Sequence, residues 1–274
     1  MYNHAQIKQQ GKDLTKATSN TIIVSLIVSL LGGGAAGGSS FNFTGNGSSS
    51  SSGGSYDETT AEFMSGLLVA MAGILIVIGL IAIAYSIFIA GPVQIGGAGW
   101  FRRATKWKER TMFMEPKEKF QNPAPKVGSI FAPFKNGYFM SSVGTVLLVS
   151  VYTFLWSLLC FIPGIIKGYS YSMTNYIKSE NPDLSAKQCI EMSQIMTDGH
   201  KADLFYLDLS FIGWELLGLC TCGILNIVYV NPWMMASKAY AYEALKEEAI
   251  SLGKLDAQSF VCMGTGFYPD EADQ

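Results

Sequence analysis

Cys160-Phe-Ile-Pro-Gly-Ile-Ile-Lys-Gly-Tyr-Ser-Tyr-Ser-Met173 opens the stretch of sequence that decides the fold, which continues as far as Asn231-Pro232. Its apolar runs are too long for the core of a soluble domain, yet they contain Lys167, Asp208 and Glu215. A charged side chain inside a segment of hydrocarbon length is costly, so it requires a partner or a function. The stretch therefore predicts membrane helices that carry charged groups.

The composition of the whole chain agrees with several membrane segments. Of its 274 residues, 49% are hydrophobic and only 15% are charged, whereas about a quarter of the residues in a soluble domain are charged. The net charge of -2 gives no overall attraction to nucleic acid. The five cysteines form no CxxC pair and there are two histidines, so the sequence predicts no disulfide framework, no metal centre and no cofactor.

The N-terminal region contains a first apolar segment that has two interpretations. Residues 1–20 are polar with three lysines, and residues 21–31 are apolar and run into a Gly/Ala-rich stretch. This pattern fits a cleaved signal peptide, and it also fits a retained first membrane helix, which we favour. Both interpretations export residues 39–60, whose Ser, Gly, Asn and Thr content predicts a flexible external loop.

Five further apolar segments complete a predicted all-α, polytopic transmembrane bundle of about six spans over residues 21–250. These segments are residues 64–90, 138–161, 163–178, 204–219 and 224–245. The first two contain no charge and exceed the ~20 residues needed to cross a bilayer. A helix over 184–197 with Ser185 as its N-cap is expected to lie at the membrane interface. Residues 251–274 predict a disordered polar tail.

The basic residues support six spans with both termini cytoplasmic. In this arrangement all of the 19 basic residues except Lys167 lie on the inner side or at its boundary. A five-span arrangement without the segment 163–178 places Lys178, Lys187 and Lys201 outside. The positive-inside rule therefore favours six spans in a cytoplasmic membrane.

A weak internal repeat fits an organisation in three αα-hairpins. Three prolines each precede small residues and are each followed, eight positions later, by an aromatic residue. Chance similarity among apolar, Gly-rich segments explains the pattern equally well. The three pairs are Pro92 with Trp100, Pro163 with Tyr171, and Pro232 with Tyr240.

The charged residues of the central stretch form a candidate intramembrane polar site. Lys167 and Glu215 each lie four residues inside the outer end of a predicted span, about 6 Å deep, which permits an ion pair. Asp208 and Glu215 are seven residues apart, so they share one helix face. A purely structural role, with long side chains reaching the interface, is the alternative. The polar side chains that the neighbouring span adds to this site are Tyr169, Tyr171 and Asn175.

The segment 92–137 is predicted to be a basic cytoplasmic loop. Trp100 and Trp107 are interleaved with its first basic residues, as in segments that contact anionic lipid at the cytoplasmic face. An ordinary loop that obeys the positive-inside rule explains the charges as well, and no groove-reading motif for nucleic acid is present. The candidate membrane-surface patch consists of Arg102, Arg103, Lys106, Lys108 and Arg110.

Five stretches of the sequence carry a resemblance to a known family. They are Ile162-Pro-Gly-Ile-Ile-Lys-Gly-Tyr-Ser-Tyr-Ser-Met173, Asn181-Pro-Asp-Leu-Ser-Ala186, Gly199-His-Lys201, Leu209-Ser-Phe-Ile-Gly-Trp214 and Asn231-Pro232. Over about residues 90–250 the sequence resembles a bacterial integral-membrane family, the domain-of-unknown-function family nine-seven-five, which is common in Firmicutes. The resemblance implies a protein of the bacterial cytoplasmic membrane and supplies no established reaction. The chain departs from the family in the long Ser/Gly loop at 39–55 and in Asp208, where an apolar residue is expected.

These observations favour a non-enzymatic membrane protein, either a small transporter-like bundle or an accessory protein that protects the envelope. The chain contains no nucleophile elbow, phosphate-binding loop or dinucleotide fingerprint. One alternative is a membrane enzyme that acts on lipid or isoprenoid head groups through Asp208, Glu215 and Lys167. Another is a scaffold that recruits an unidentified protein partner through the basic loop.

Overall fold

The fold is all-helical throughout the part of the chain that the computed structural model describes. The predicted external loop as far as residue 57, and the Gly/Ala-rich end of the first apolar segment, lie outside this part. The described residues are 4–31, 58–114, 123–135, 137–159, 161–221 and 223–261.

The described part of the chain consists mainly of α-helices. The helices are α1 His4–Ala17, α2 Asn20–Leu31, α3 Glu58–Tyr85, α4 Gly91–Thr111, α5 Phe139–Leu159, α6 Phe161–Tyr171, α7 Thr174–Glu180, α8 Ala186–Thr197, α9 Lys201–Cys220 and α10 Asn231–Ser251. The shorter elements are two π-helical turns, Ser86–Ala90 and Asn226–Val230, two 3-10 turns, Val127–Phe131 and Ala257–Phe260, and one α-helical turn, Ala132–Lys135.

Within the described ranges, two helical runs are long and apolar enough to cross a membrane, namely Gly66–Thr111 and α5. A third crossing is added if α1 and α2, which are bent by 105° relative to each other, count as one span. The six predicted spans are therefore not confirmed. The segment predicted as span four is broken between α6 and α7, and α9 carries four charged residues within its 20.

Exposed apolar side chains are concentrated in three stretches of the chain, which we together call the apolar belt. It consists of the exposed large hydrophobic side chains within residues 67–89, 147–166 and 205–228. The apolar 18-residue window of the Gly66–Thr111 run has none of its residues buried. Water-soluble proteins rarely expose apolar patches beyond a few hundred Å², so the belt is suited to a hydrocarbon environment.

The buried core has α4 and α10 at its centre. The prediction of a basic loop from residue 92 is wrong for its first part, because α4 is a 21-residue helix with most of its side chains buried. Glycines allow this close packing. A Cβ on Gly96 would lie 1.8 Å from the carbonyl oxygen of Ile130, and one on Gly97 would lie 2.6 Å from Val28.

The N-terminal helix α1 docks on α10 through one glycine and two apolar residues. Ile7, Gly11 and Leu14 are the buried positions of α1, which are spaced as one face of a helix. A Cβ on Gly11 would lie 2.7 Å from the backbone nitrogen of Ser237. The Trp233 indole donates a hydrogen bond of 2.7 Å to the Lys8 carbonyl, so α1 is fixed to α10 by both packing and hydrogen bonding.

Helices α4 and α10 form a structural repeat. Each has 21 residues and follows a five-residue π-helical turn, and each boundary in the second unit lies 140 positions after its counterpart in the first, as Pro232 does after Pro92. A proline has no N–H and clashes with the carbonyl four residues earlier. The wider π turn relieves this conflict, and the last N–H before each proline bonds to a carbonyl five residues back, Gly91 to Ser86 and Asn231 to Asn226.

The third proline of the predicted repeat does not follow this pattern. Pro163 lies in the first turn of α6, directly after α5 has ended, where its missing N–H costs nothing. The repeat thus relates two units, and three equivalent hairpins are not present in the described part of the chain. Both π turns contact α2, and α4 contacts α10, so the two units pack against each other.

Two local predictions can be compared with the structure directly. Helix α8 begins after Ser185, which forms the reciprocal capping box with Gln188, and Gly199 has a left-handed φ of 92° just beyond its end. The tail, in contrast, is folded as far as residue 261. Phe260 is buried, and the Asn181 amide donates to the carbonyl oxygens of residues 259 and 261.

Candidate functional site

A buried cluster of charged side chains joins α4, α7 and α10. At its centre is Glu180, the last residue of α7. Its carboxylate contacts Arg102 Nη1 at 3.4 Å and Lys106 Nζ at 3.8 Å, and it accepts hydrogen bonds from the Lys246 ammonium and, at 2.5 Å, from the Tyr242 hydroxyl. We call these five residues the Glu180 cluster.

The repeat accounts for the arrangement of the four groups that surround Glu180. Arg102 and Lys106 are four residues apart on α4, and Tyr242 and Lys246 are their counterparts on α10, again 140 positions later. Residues four apart lie one above the other on the same helix face. Equivalent faces of two equivalent helices therefore converge on a single carboxylate.

Burial makes the inner part of this cluster energetically important. The side chains of Arg102, Glu180 and Lys246 are 2%, 10% and 14% exposed, whereas that of Lys106 is 39% exposed. Burial alone would raise the pKa of Glu180, but Arg102, Lys246 and Lys106 together outweigh it and hold the pKa below its ordinary value. Glu180 is therefore an ionised carboxylate that ties three helices together.

A second carboxylate lies at the edge of the cluster. Glu243 Oε1 lies 3.8 Å from Lys106 Nζ and is buried without a hydrogen-bond partner. The Oε1 atom of this carboxylate is therefore poorly satisfied.

Lys178 is a buried lysine that stabilises a loop. Its side chain is fully buried, and its ammonium donates hydrogen bonds to Ser141 Oγ at 2.6 Å, to the Pro182 carbonyl at 2.8 Å and to the Leu184 carbonyl at 2.6 Å. These bonds fix the loop between α7 and α8. The loop in turn positions the end of α7, where Glu180 lies.

A narrow cleft near α9 contains one residue pair of the predicted polar site. The Tyr169 hydroxyl donates to Asp208 Oδ2 at 3.1 Å, and Lys238 Nζ lies 3.0 Å from Asp208 Oδ1. The enclosed space has room for about one water molecule. The residues that line it are Tyr169, Ser172, Met173, Tyr176, Leu204, Leu207, Asp208 and Lys238.

The structure does not bring the other predicted members of this site together. No salt bridge joins Lys167 to Glu215 among the described residues. Lys167 Nζ instead lies 5.2 Å from the ring of Trp156. Tyr171 packs against Tyr152 with ring centroids 6.4 Å apart, and residue 175, an asparagine, is half-buried.

The basic residues predicted to form a membrane-surface patch do not share one exposed face. Arg102 and Lys106 belong to the Glu180 cluster. Arg103 donates to the Ser129 hydroxyl, and Lys108 donates to the Gln10 carbonyl at 3.4 Å. Arg110 is exposed. The patch prediction treated α4 as a solvent-facing segment, whereas its first three turns are enclosed by other helices.

Sequence reasoning did not identify Glu180, Tyr242 and Lys246 as site residues. A signal for two of them was present, because Pro92 and Pro232 align the two repeat units. Adding the 140-position sequence offset between these prolines to the positions of Arg102 and Lys106 gives Tyr242 and Lys246. No comparable signal marks Glu180, which lies outside both units.

A histidine bridges the start of α9 and the end of α10. His200, the residue before α9, has Nδ1 3.1 Å from Asp203 Oδ2 and Nε2 3.0 Å from Glu248 Oε1. In the described ranges, no group of three or more His, Cys, Asp or Glu side chains is arranged to hold a metal ion.

Comparison with known proteins gives one family match. Residues 158–249 match the family described as "Protein of unknown function (DUF975)". No curated protein and no solved structure shows a significant match to the chain. The matched segment contains Glu180, Asp208 and Lys238, whereas Arg102 and Lys106 precede it. Over residues 158–249, the chain is similar to the DUF975 family of proteins of unknown function.

Proposed function

We propose that the protein is a non-enzymatic, polytopic membrane protein of the transporter-like kind, in which the two repeat units move relative to each other. The observation that carries the proposal is the pair of proline-interrupted helices at corresponding positions of the repeat. In transporters built from internal repeats, interrupted helices in corresponding positions mark the region where substrate binds and conformational change occurs.

The apolar belt supports a membrane location for the protein. We propose that the chain crosses the membrane six times. In this extension α6 with α7 forms the fourth crossing, and α9 and the helix that begins before the second π turn form the fifth and sixth. The charge of Asp208 does not forbid a crossing, because Lys238 and Tyr169 pair with it inside the protein. Both termini lie on the cytoplasmic side of a bacterial membrane in this proposal.

The Glu180 cluster fits the inner end of such a bundle. It connects the second halves of α4 and α10, from their midpoints onward. Interrupted helices that are tied together at one end by ion pairs can separate there when the ion pairs break. An accessory protein with a single conformation has no need for this arrangement.

Distance measurements between spin labels test the proposal without knowledge of the substrate. Met112 and Leu252 are repeat-related, exposed residues just beyond the ends of α4 and α10. With both replaced by labelled cysteine in nanodiscs, we expect two distance populations, and Glu180→Gln should enrich the longer one. As a control, a label pair at Leu252 and Lys187 should give a single distance population. A single Met112–Leu252 distance in both the parent and the Glu180→Gln protein would refute the proposal.

A second candidate is a membrane enzyme that acts on lipid or isoprenoid head groups. The observation that favours it is the group of Asp208, Tyr169 and Lys238 at the cleft. The cleft has room for about one water molecule, which is too little for a head group in this conformation. Turnover of a head-group lipid by the purified protein, lost in Asp208→Asn, would establish this alternative.

A further inference from the structure

We infer that Asp208 is a proton-binding site in the membrane part of the protein, and that Lys238 is the cation that keeps it ionised in this conformation. The binding of the proton does not depend on transport. The coupling of that proton to a movement of the two repeat units rests on the proposed function.

Asp208 lies at a depth where an ionised carboxylate needs a partner within the protein. It is the eighth residue of α9, about 10 Å along the helix from the first. Its neighbours Phe205, Leu209 and Ile212 are exposed members of the apolar belt. Charged groups inside membrane segments are rare, and they mark ion pathways and proton relays.

The two carboxylate oxygens of Asp208 are not equally satisfied. Oδ2 accepts hydrogen bonds from the Tyr169 hydroxyl at 3.1 Å and from Lys238 Nζ at 3.3 Å. Oδ1 lies 3.0 Å from the same Nζ, but it is buried and accepts no hydrogen bond. The carboxylate therefore has one oxygen that is free to take a proton.

Lys238 is the one cation among the described residues that line the cleft. Helix α1 also packs against α9, but its Lys8 ammonium bonds to the carbonyl and hydroxyl oxygens of Ser210 instead. The phenols that line the cleft contribute no positive charge, so the ionised state of Asp208 depends on Lys238. The titratable groups that face Asp208 are Lys238 of α10, Tyr169 of α6 and Tyr176 of α7.

The size of the cleft selects the ligand. The enclosed space has room for about one water molecule, and the hydroxyl groups of Tyr169 and Ser172 are among those that line it. The Asp208 side chain is 26% exposed. A proton delivered by water fits this space, whereas an organic ligand does not.

Separation of Asp208 from Lys238 leads to proton uptake from solvent. An ionised carboxylate without a cation in an apolar environment neutralises by taking up a proton. Lys238 does not lose a proton in exchange, because a lysine side chain is long enough to carry its ammonium group to water. Opening of the pair therefore binds one proton, which forms the O–H bond of a neutral carboxyl group.

Helix α10 connects this pair to the Glu180 cluster. Lys238, Tyr242 and Lys246 follow one another at intervals of four residues, so they lie along one face of α10. A displacement of α10 that separates Tyr242 and Lys246 from Glu180 therefore also moves Lys238 away from Asp208. Under the proposed function, acidification favours the conformation in which the repeat units are apart.

Infrared difference spectroscopy on the full-length protein in nanodiscs tests the proton site. Lowering the pH from about 8 to about 5, the range in which folded proteins are ordinarily most stable, should produce the C=O stretching band of a neutral carboxyl group that Asp208→Asn lacks. Asp198→Asn is the control and should retain this band, because Asp198 is 75% exposed and pairs with Lys201. Identical spectral changes in the parent protein and Asp208→Asn would overturn the inference.

A second variant keeps the test decisive if Asp208→Asn does not fold. Lys238→Met leaves the carboxylate without its cation, so the neutral-carboxyl band should already be present at about pH 8. Absence of the band from Lys238→Met throughout this pH range would also overturn the inference.

The spin-label pair at Met112 and Leu252 measures the coupling. In the parent protein, the ratio of the longer to the shorter distance population should rise on acidification, by at most about tenfold per pH unit for one proton. In Asp208→Asn the ratio should be high and independent of pH, whereas Asp198→Asn should respond as the parent protein does. A pH response that persists in Asp208→Asn would show that another group causes it and would overturn the coupling.

The two measurements separate the possible sources of failure. Two distance populations without an Asp208 band would leave the proposed function intact and remove the proton site. An Asp208 band with one population in both the parent protein and Glu180→Gln would leave the proton site intact and remove the proposed movement.

Discussion

Replacing Glu180 by glutamine should destabilise the protein more than any other single isosteric change in the cluster. The change removes the negative charge shared by Arg102 and Lys246, whose side chains are 2% and 14% exposed. Breaking a buried ion pair from one side costs about 3–5 kcal/mol, because the remaining charge stays buried without a partner. The contact with Lys106 adds no more than about 1 kcal/mol, since that lysine is 39% exposed and solvent screens the pair.

The assay is the free energy of unfolding in mixed micelles, determined for the parent protein and for a double-mutant cycle. Glu180→Gln should cost about 3–5 kcal/mol. Its coupling energy with Lys246→Met should be about 1–3 kcal/mol, and that with Lys106→Met below about 1 kcal/mol. The exposed pair of Lys187 and Glu191 is the control and should contribute about 0–1 kcal/mol. A total cost below about 1 kcal/mol, or stronger coupling to Lys106 than to Lys246, would refute the reasoning.

Three further predictions follow from the structure. First, the pKa of Glu180 is lowered on folding from its ordinary value of 4.5. The stability that its charge contributes is therefore fully present above about pH 5 and is lost as the pH falls through the lowered value. The difference in unfolding free energy between parent and Glu180→Gln should shrink below pH 4.5. Second, Gly96→Ala should destabilise the folded protein by about 1–3 kcal/mol, because the added Cβ would lie 1.8 Å from the Ile130 carbonyl oxygen. Gly144→Ala should instead stabilise it by up to about 1 kcal/mol, because no atom lies within 4 Å of the added Cβ. Third, the buried thiol of Cys189, whose pKa is raised to about 11 by burial, should not react with a maleimide in the folded protein at neutral pH.

Each of these predictions has a clear contrary result. A parent-to-variant difference that grows on acidification would mean that Glu180 is not a stabilised carboxylate. Equal effects of alanine at Gly96 and Gly144 would show that α4 does not approach the Ile130 backbone as described. Rapid modification of Cys189 in detergent, without loss of helical signal, would show that α8 is not packed against the core.

Several elements were predictable because their signals are local. The apolar runs of α3 and of α5 each extend over a bilayer length without a charged residue. Helix α8 has a complete capping box between Ser185 and Gln188. The alignment of Pro92 with Pro232 was visible as well. In each case the signal lies in the sequence itself and does not depend on which helices pack together.

The partners of the charged residues were not predictable because they depend on tertiary packing. Lys167 and Glu215 were paired from their depth along two helices, but depth says nothing about rotation around each helix axis. In the structure Asp208 pairs with Lys238 instead. Similarly, Arg102 lies in a sequence rich in basic residues, and its partner Glu180 is 78 positions away. A basic composition therefore suggested a surface where the fold contains a buried ion pair.

The most direct test of the membrane arrangement is the labelling of single cysteines in intact cells with an impermeant thiol reagent. Cys220 is a native, exposed cysteine at the end of α9, and Lys187 is an exposed residue of α8. Each should be the sole cysteine of its variant, with the other cysteines replaced. The proposed six-span arrangement predicts that Cys220 is labelled in intact cells and that Lys187→Cys is labelled only after the cells are lysed. Labelling of Lys187→Cys in intact cells would place α8 outside and contradict the assignment of the Glu180 cluster to the cytoplasmic side.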